Sequence, residues 1–174
     1  GLADRVTVLS EDYRTLHGSY DKLVSIEMIE AVGHQFFDTY FRVCAQRLKP
    51  HGMMLLQAII IPDQRYDQYR RSVDFIQRYI FPGGCLPSVG AICHALGRAT
   101  DLRLCHLEDL TPHYARTLPI WRERFLANRE QVRKLGFSDE FIRTWEYYFC
   151  YCEGGFREQA IGDVQMLLTK PACQ

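Results

Sequence analysis

The stretch EYYFCYCEGGFREQ, residues 146–159, packs four aromatics and two cysteines, Cys150 and Cys152, into six positions, then adds an acid and a glycine pair. Disulfide clamping, metal binding, core packing and a lined substrate pocket all use such residues. Metal binding is disfavoured, because zinc sites want C-x2-C pairs or cysteines with histidines at ligand spacing, and neither occurs here. Cys152 therefore reads either as a small core hydrophobe on a helix face or as part of a reactive lining. Gly154 and Gly155 would let something approach the backbone closely. Glu30 ends the apolar run YDKLVSIEMI, and the carboxyl edge of an α/β sheet is where such folds bind ligands; a solvated helix-start acid is the plain alternative. Asp12 and Tyr13 end another short apolar run and read as a strand end or a surface turn. The histidines at 17, 34, 51, 94, 106 and 113 show no ligand spacing. The arginines at 65, 70, 71 and 78 form a solvated helix face or a surface for anionic lipid headgroups.

The elements that would position these groups alternate. Residues 6–13 and 20–29 read as strands. Phe37, Tyr40, Phe41, Cys44 and Leu48 recur at helical spacing, and KPHG stops that helix. MMLLQAIII is a continuous apolar run, as in a strand buried on both faces. A polar helical stretch follows and ends at Pro82-Gly83-Gly84. Ser88 caps a short helix closed by Gly97, and LRLCHLEDL is a strand. Tyr114, Leu118, Trp121 and Phe125 mark a helix in which Pro119 predicts a kink or a late start. Ser138 or Asp139 opens the next helix, and DVQMLLTK is the last strand. Such alternation predicts an α/β fold with a mainly parallel sheet.

The totals bound the function. A chain of 174 residues makes one domain with a real core. Lysine plus arginine match aspartate plus glutamate at 21 each, so no net field recruits nucleic acid. No apolar run reaches the roughly 20 residues of a membrane span. Seven cysteines at irregular spacing suit a reducing compartment, and no metal or structural disulfide is expected.

Beyond these readings, the motifs EDYR, YDKLVSIEMIEAVG, RLKPHGMMLLQAI, FIQRYIFPGGCLPS, HYARTLPIWRERF and YYFCYCEGGFRE occur in an order and spacing that resemble the cyclopropane-fatty-acyl-phospholipid synthases and mycolic acid cyclopropane synthases. The resemblance runs from about Val6 to Leu168. It implies a Rossmann-like class I methyltransferase fold with an antiparallel last strand and a helical acyl-binding insertion. Residues 1–174 would be the C-terminal part of that single domain, without the glycine-rich cofactor loop and the first strands. On that reading the chain alone binds S-adenosylmethionine weakly, is inactive by itself, and self-associates through an open sheet edge.

The implied reaction is methyl transfer from S-adenosylmethionine to the double bond of an unsaturated phospholipid acyl chain, closing a cyclopropane ring. A methyl-branched product or a degenerate lipid- or partner-binding module are the alternatives. By the same resemblance Cys152, Glu30 and Tyr114 are the catalytic positions. Glu30, Gln57, Ile59 and Tyr114 hold a bicarbonate ion that acts as base. Phe81, Tyr148 and Phe156 line the acyl pocket, and Asp12 and Tyr13 meet the adenine edge. The implied setting is cytoplasmic and peripheral to a membrane, with a homo-oligomer as a partner state. The sequence departs from the family pattern at Gln57 and Ala31, where histidines are usual. A glutamine amide donates hydrogen bonds but relays no proton, which puts the base and the product in question.

Overall fold

A computed structural model describes residues 1–173. After an exposed N-terminal segment, β1 (Tyr20–Ile26) leads through two 3-10 turns, Ile29–Ala31 and His34–Phe36, into α1 (Phe37–Arg47) and β2 (Leu48–Ile60). Then come α2 (Asp63–Tyr69), α3 (Phe75–Tyr79), α4 (Val89–Ala99) and β3 (Arg103–Asp109). The chain closes with α5 (Thr111–Ala127), α6 (Arg129–Lys134), α7 (Asp139–Arg157) and β4 (Gly162–Thr169).

The sheet order is β1-β2-β4-β3. β1 runs parallel to β2, and β4 lies antiparallel between β2 and β3. Three strands thus point one way and the last strand opposes them, as expected for this class of fold. Strand alternation sorts the residues by face. Met54, Leu56 and Ala58 of β2 face Leu168, Met166 and Val164 of β4 in register, and all six are buried. They meet Phe41 and Cys44 of α1 and Ile92 and Leu96 of α4 in one core cluster. Beside it the Tyr40 hydroxyl donates to Ser25 Oγ at 2.6 Å, so the buried phenol is satisfied.

The opposite face of β2 differs from the expectation of burial on both sides. Met53, Leu55, Gln57 and Ile59 are only half-buried, because α5 and α7 cover that face chiefly at the carboxyl end of β2. A second, smaller cluster of Leu118, Phe149 and Phe156 packs there with Ile59, Tyr114, Tyr148 and Cys152.

Several local expectations change. Residues 6–10 form no strand and lie exposed, since a strand exists only through ladder partners and none of the four sheet strands pairs with them. The polar stretch after β2 breaks into two short helices, and Asp74 starts the second with a capping box to Gln77. Ser88 caps α4 as expected, accepting from Ala91 N at 3.1 Å, but the helix runs past Gly97 to Ala99. α5 starts at Thr111 and passes through Pro119 unbroken. Ser138, not Asp139, caps α7, accepting from Phe141 N at 3.1 Å.

Candidate active site

β1, β2 and β4 bring their polar residues together at one end of the sheet. The ladder pairs Ile26 with Gln57, Gln57 with Gln165, and Ile59 with Asp163. Gln57 thus sits at the centre of the half-covered face, between two strands. Its Nε2 donates to Glu27 Oε1 at 3.0 Å and to Asp163 Oδ2 at 2.9 Å, and its Oε1 accepts from Gln165 Nε2 at 2.9 Å. A flipped amide would turn its oxygen on two carboxyl groups, so the contacts fix the orientation.

Glu27 reaches this position through an unusual backbone. Its N–H still donates to Gln57 O at 2.9 Å, extending the β1 pairing by one bond. Its φ of 49° then turns the chain left-handed, a conformation L-residues seldom adopt. The Tyr114 hydroxyl on α5 donates to the same Glu27 Oε1. The Tyr114 phenol is pushed up by burial first and by its Glu27 hydrogen bond second.

Glu30 follows in the first 3-10 turn. Its Oε1 accepts from Ile59 N at 2.6 Å, and its Oε2 is buried without a partner. Burial pushes its carboxyl up to about 7, with the Glu27 charge adding to the rise and the backbone hydrogen bonds opposing it. Asp163 is fully buried with Oδ1 unpartnered. Burial, then the charges of Glu27 and Glu30, raise it to about 7. Three acids therefore converge, and burial lifts two of them to the edge of neutrality.

An aromatic wall stands beside the acids. Tyr114 stacks on Phe156 with ring centroids 4.9 Å apart and 16° between planes. Tyr148 packs edge-on against Phe81 at 6.4 Å. The loop carrying Phe81 is anchored by Cys85 N donating to Glu30 O at 2.8 Å and by Gln77 Nε2 donating to Gly84 O at 2.8 Å. Cys152 lies one turn from Tyr148 on α7. Burial, with the Asp74 charge second, pushes its thiol up to about 12. It is a protonated thiol at neutral pH, unsuited to nucleophilic attack.

The structure thus brings together Glu30, Gln57, Ile59, Tyr114, Phe156, Tyr148, Phe81 and Cys152. Asp12 and Tyr13 stand apart. Asp12 binds Arg14 Nε at 2.9 Å and Nη2 at 2.6 Å, which holds its carboxyl near 2, and Tyr13 packs edge-on against Tyr40 at 5.7 Å. A Cβ at Gly155 would lie 3.1 Å from Ile161, and nothing stands within 4 Å of one at Gly154. The quoted run also divides: Tyr147 and Tyr151 turn away from the acids to pack on Phe75. All seven cysteines are free.

Sequence reasoning missed Glu27, Asp163 and Gln165. The signal was available, since Gln57, Asp163 and Gln165 are polar residues inside otherwise apolar strands, where buried polar groups need partners. Among the described residues no helix is long and apolar enough to cross a membrane.

Comparison with known proteins agrees with this architecture. The family model for mycolic acid cyclopropane synthetase matches residues 1–166. The tuberculostearic acid methyltransferase of Mycobacterium tuberculosis is 44% identical over 170 residues, covering 98% of this chain and 40% of that protein. The cyclopropane-fatty-acyl-phospholipid synthase of Escherichia coli K12 is 37% identical over 166 residues, 95% of this chain and 41% of that protein. The chain therefore spans about 40% of the length of these curated relatives. Among solved structures, a mycolic acid cyclopropane synthase complexed with SAH and CTAB superposes with a TM-score of 0.84 at 29% identity, over 93% of this chain and 59% of that one. With the fold, the motif order and these matches in agreement, the chain belongs to the mycolic acid cyclopropane synthetase family of S-adenosylmethionine-dependent methyltransferases.

Proposed function

We propose that this chain is the C-terminal part of a methyltransferase domain that transfers a methyl group from S-adenosylmethionine to the double bond of an unsaturated phospholipid acyl chain. The observation that carries the reading is the aromatic wall of Tyr114, Phe156 and Tyr148 set directly against the acids at the carboxyl end of β1 and β2. An isolated alkene is a weak nucleophile, and its methylation leaves a carbocation on a hydrocarbon chain. Aromatic faces stabilise such a cation without capturing it and keep out the water that would. The carboxylates then offer a place for the proton that must leave.

S-adenosylmethionine supplies the electrophilic methyl, and the donor set fits its sulfonium, since aromatic faces and carboxylates both tolerate a cation. Tyr148, Phe156 and Phe81 would face the acyl chain, and Cys152 would fill space among them as a neutral thiol. Tyr13 would offer a ring to the adenine edge. Asp12 would accept a hydrogen bond from the adenosine part in place of its present pair with Arg14.

The residues expected to hold bicarbonate do not fit that ion. The Ile59 N–H, the Gln57 amide and the Tyr114 hydroxyl are each bonded to a carboxyl group of the chain itself. A cyclopropane is one product of proton loss from the added methyl. A methylene or methyl-branched chain is the second reading, favoured by Gln57 and by the name of the 44% identical relative. The setting we infer is the cytoplasmic face of a membrane, with the enzyme bound peripherally as a homo-oligomer.

The test is incubation of the full-length protein with S-adenosylmethionine carrying a deuterated methyl and vesicles of unsaturated phospholipid. Mass spectra should show labelled acyl chains one CH2 unit heavier, and proton NMR should separate ring from methylene. Acyl chains without label would refute the assignment.

A further inference from the structure

The three donors expected to hold a small anion at this site, on Gln57, Tyr114 and Ile59, are already bonded to carboxyl groups of the protein. The Gln57 amide nitrogen has two hydrogens, and both are used, one on Glu27 and one on Asp163. The Tyr114 hydroxyl goes to Glu27 Oε1 and the Ile59 N–H to Glu30 Oε1. Two of these three groups thus converge on a single oxygen of Glu27. That convergence requires a left-handed backbone at a position where glycine would sit without strain. Strain of this kind persists where the surroundings enforce it, and it gathers at working sites.

We propose that the Glu27 carboxylate occupies the place of a bicarbonate ion and is the built-in general base of the reaction. The two groups share a planar O–C–O head with the same acceptor geometry. A tethered carboxylate needs no ion from solution and is held in position before substrate arrives. Its neighbours divide the labour. Burial and the Glu27 charge push the carboxyls of Glu30 and Asp163 up to about 7, while Glu27 is the acid on which the Gln57 and Tyr114 donors meet.

The proposal rests on methyl transfer to an acyl double bond. After that transfer the neighbouring carbon carries the positive charge. A C–H bond of the added methyl then breaks, and its proton passes to Glu27 Oε2, the oxygen that Tyr114 and Gln57 leave alone. The released electron pair closes the ring onto the cationic carbon, or forms an exocyclic double bond if a hydride shift comes first. Once product leaves, Glu27 returns its proton to water.

The experiment uses the full-length protein, vesicles of unsaturated phospholipid and buffers stripped of carbon dioxide, with and without added bicarbonate. The native protein should turn over within about twofold of the same rate in both buffers, and Glu27→Gln should lose about a hundredfold or more in both. Glu27→Gly opens the space, so it should be slow in stripped buffer and recover about tenfold or more when bicarbonate is added. The 13C line of labelled bicarbonate gives a second readout and should broaden with Glu27→Gly but not with native protein. A native enzyme that needs added bicarbonate, or Glu27→Gly at the native rate in stripped buffer, would overturn the proposal. If no acyl chain is methylated under any condition, the functional reading fails. The NMR arm still decides the occupancy of the site, because equal broadening by native protein and Glu27→Gly also overturns it.

Discussion

Replacing Glu30 with glutamine tests the electrostatics of the site without reference to turnover. Glu30 is held at about 7 against an ordinary value of 4.5, chiefly by burial. At roughly 1.4 kcal/mol per pH unit, that difference amounts to about 3 kcal/mol. The sign follows from proton counts. Between pH 4.5 and about 7 the folded protein keeps a proton on Glu30 that the unfolded chain has released. Folding stability from this group is therefore full below 4.5, falls as pH rises to about 7, and stays low above it. Glu30→Gln carries no charge at any pH, and its amide oxygen can still accept from Ile59 N. The variant should match native protein near pH 4.5 and exceed it by up to about 3 kcal/mol near pH 8. Urea unfolding of the full-length proteins at both pH values measures this directly. Asp12, held near 2 by Arg14, gives a slope of opposite sign at lower pH, but both proteins share it and it cancels in the difference. Equal pH slopes in native protein and variant would show that Glu30 does not carry a proton in the fold near neutrality.

Three further outcomes follow from the same contacts. Glu27→Gly and Glu27→Ala remove the same carboxylate, so their difference isolates the backbone at φ 49°. Thermal unfolding should find the glycine variant more stable by about 1 kcal/mol. Gln57→Leu strips Glu27 and Asp163 of a shared donor and Gln165 of its acceptor. It should cost about 1–3 kcal/mol in denaturant unfolding, and a neutral result would mean the amide is not the clasp described. Phe156→Ala removes a buried ring stacked on Tyr114. It should cost about 3–5 kcal/mol and free Tyr114 from Glu27, visible as a lower phenol titration in ultraviolet absorbance.

The sequence carried the frame of this site better than its contents. Helical spacing of Tyr40, Phe41 and Cys44, the Ser88 and Ser138 caps and the apolar run of β2 were all legible, because each depends on neighbours close in sequence. The strand expected at residues 6–13 was not sound, since an extended apolar run becomes a strand only through a partner. The meeting of Gln57 with Asp163 was not legible at all. The two lie 106 residues apart, joined only by the antiparallel register of β2 and β4, and one residue of slip would send Asp163 to the opposite face. Glu27 was hidden for another reason. Its role depends on a backbone conformation that nothing in its own chemistry favours.

Gln57 and Glu27 are best understood as one feature. The family resemblance leads to the expectation of histidine at 57, a side chain with one ring nitrogen for each direction. Two acids approaching from the same side cannot both be served by one ring N–H. A primary amide can do this, because both hydrogens of Nε2 point forward, here to Glu27 at 3.0 Å and Asp163 at 2.9 Å. Its oxygen points back and is answered by Gln165 at 2.9 Å. Once a carboxylate is built into the site at position 27, an amide at 57 satisfies the surrounding acids where an imidazole would leave one unpaired. The glutamine that first looked like the loss of a proton relay is, in this arrangement, the residue that lets a third acid be present.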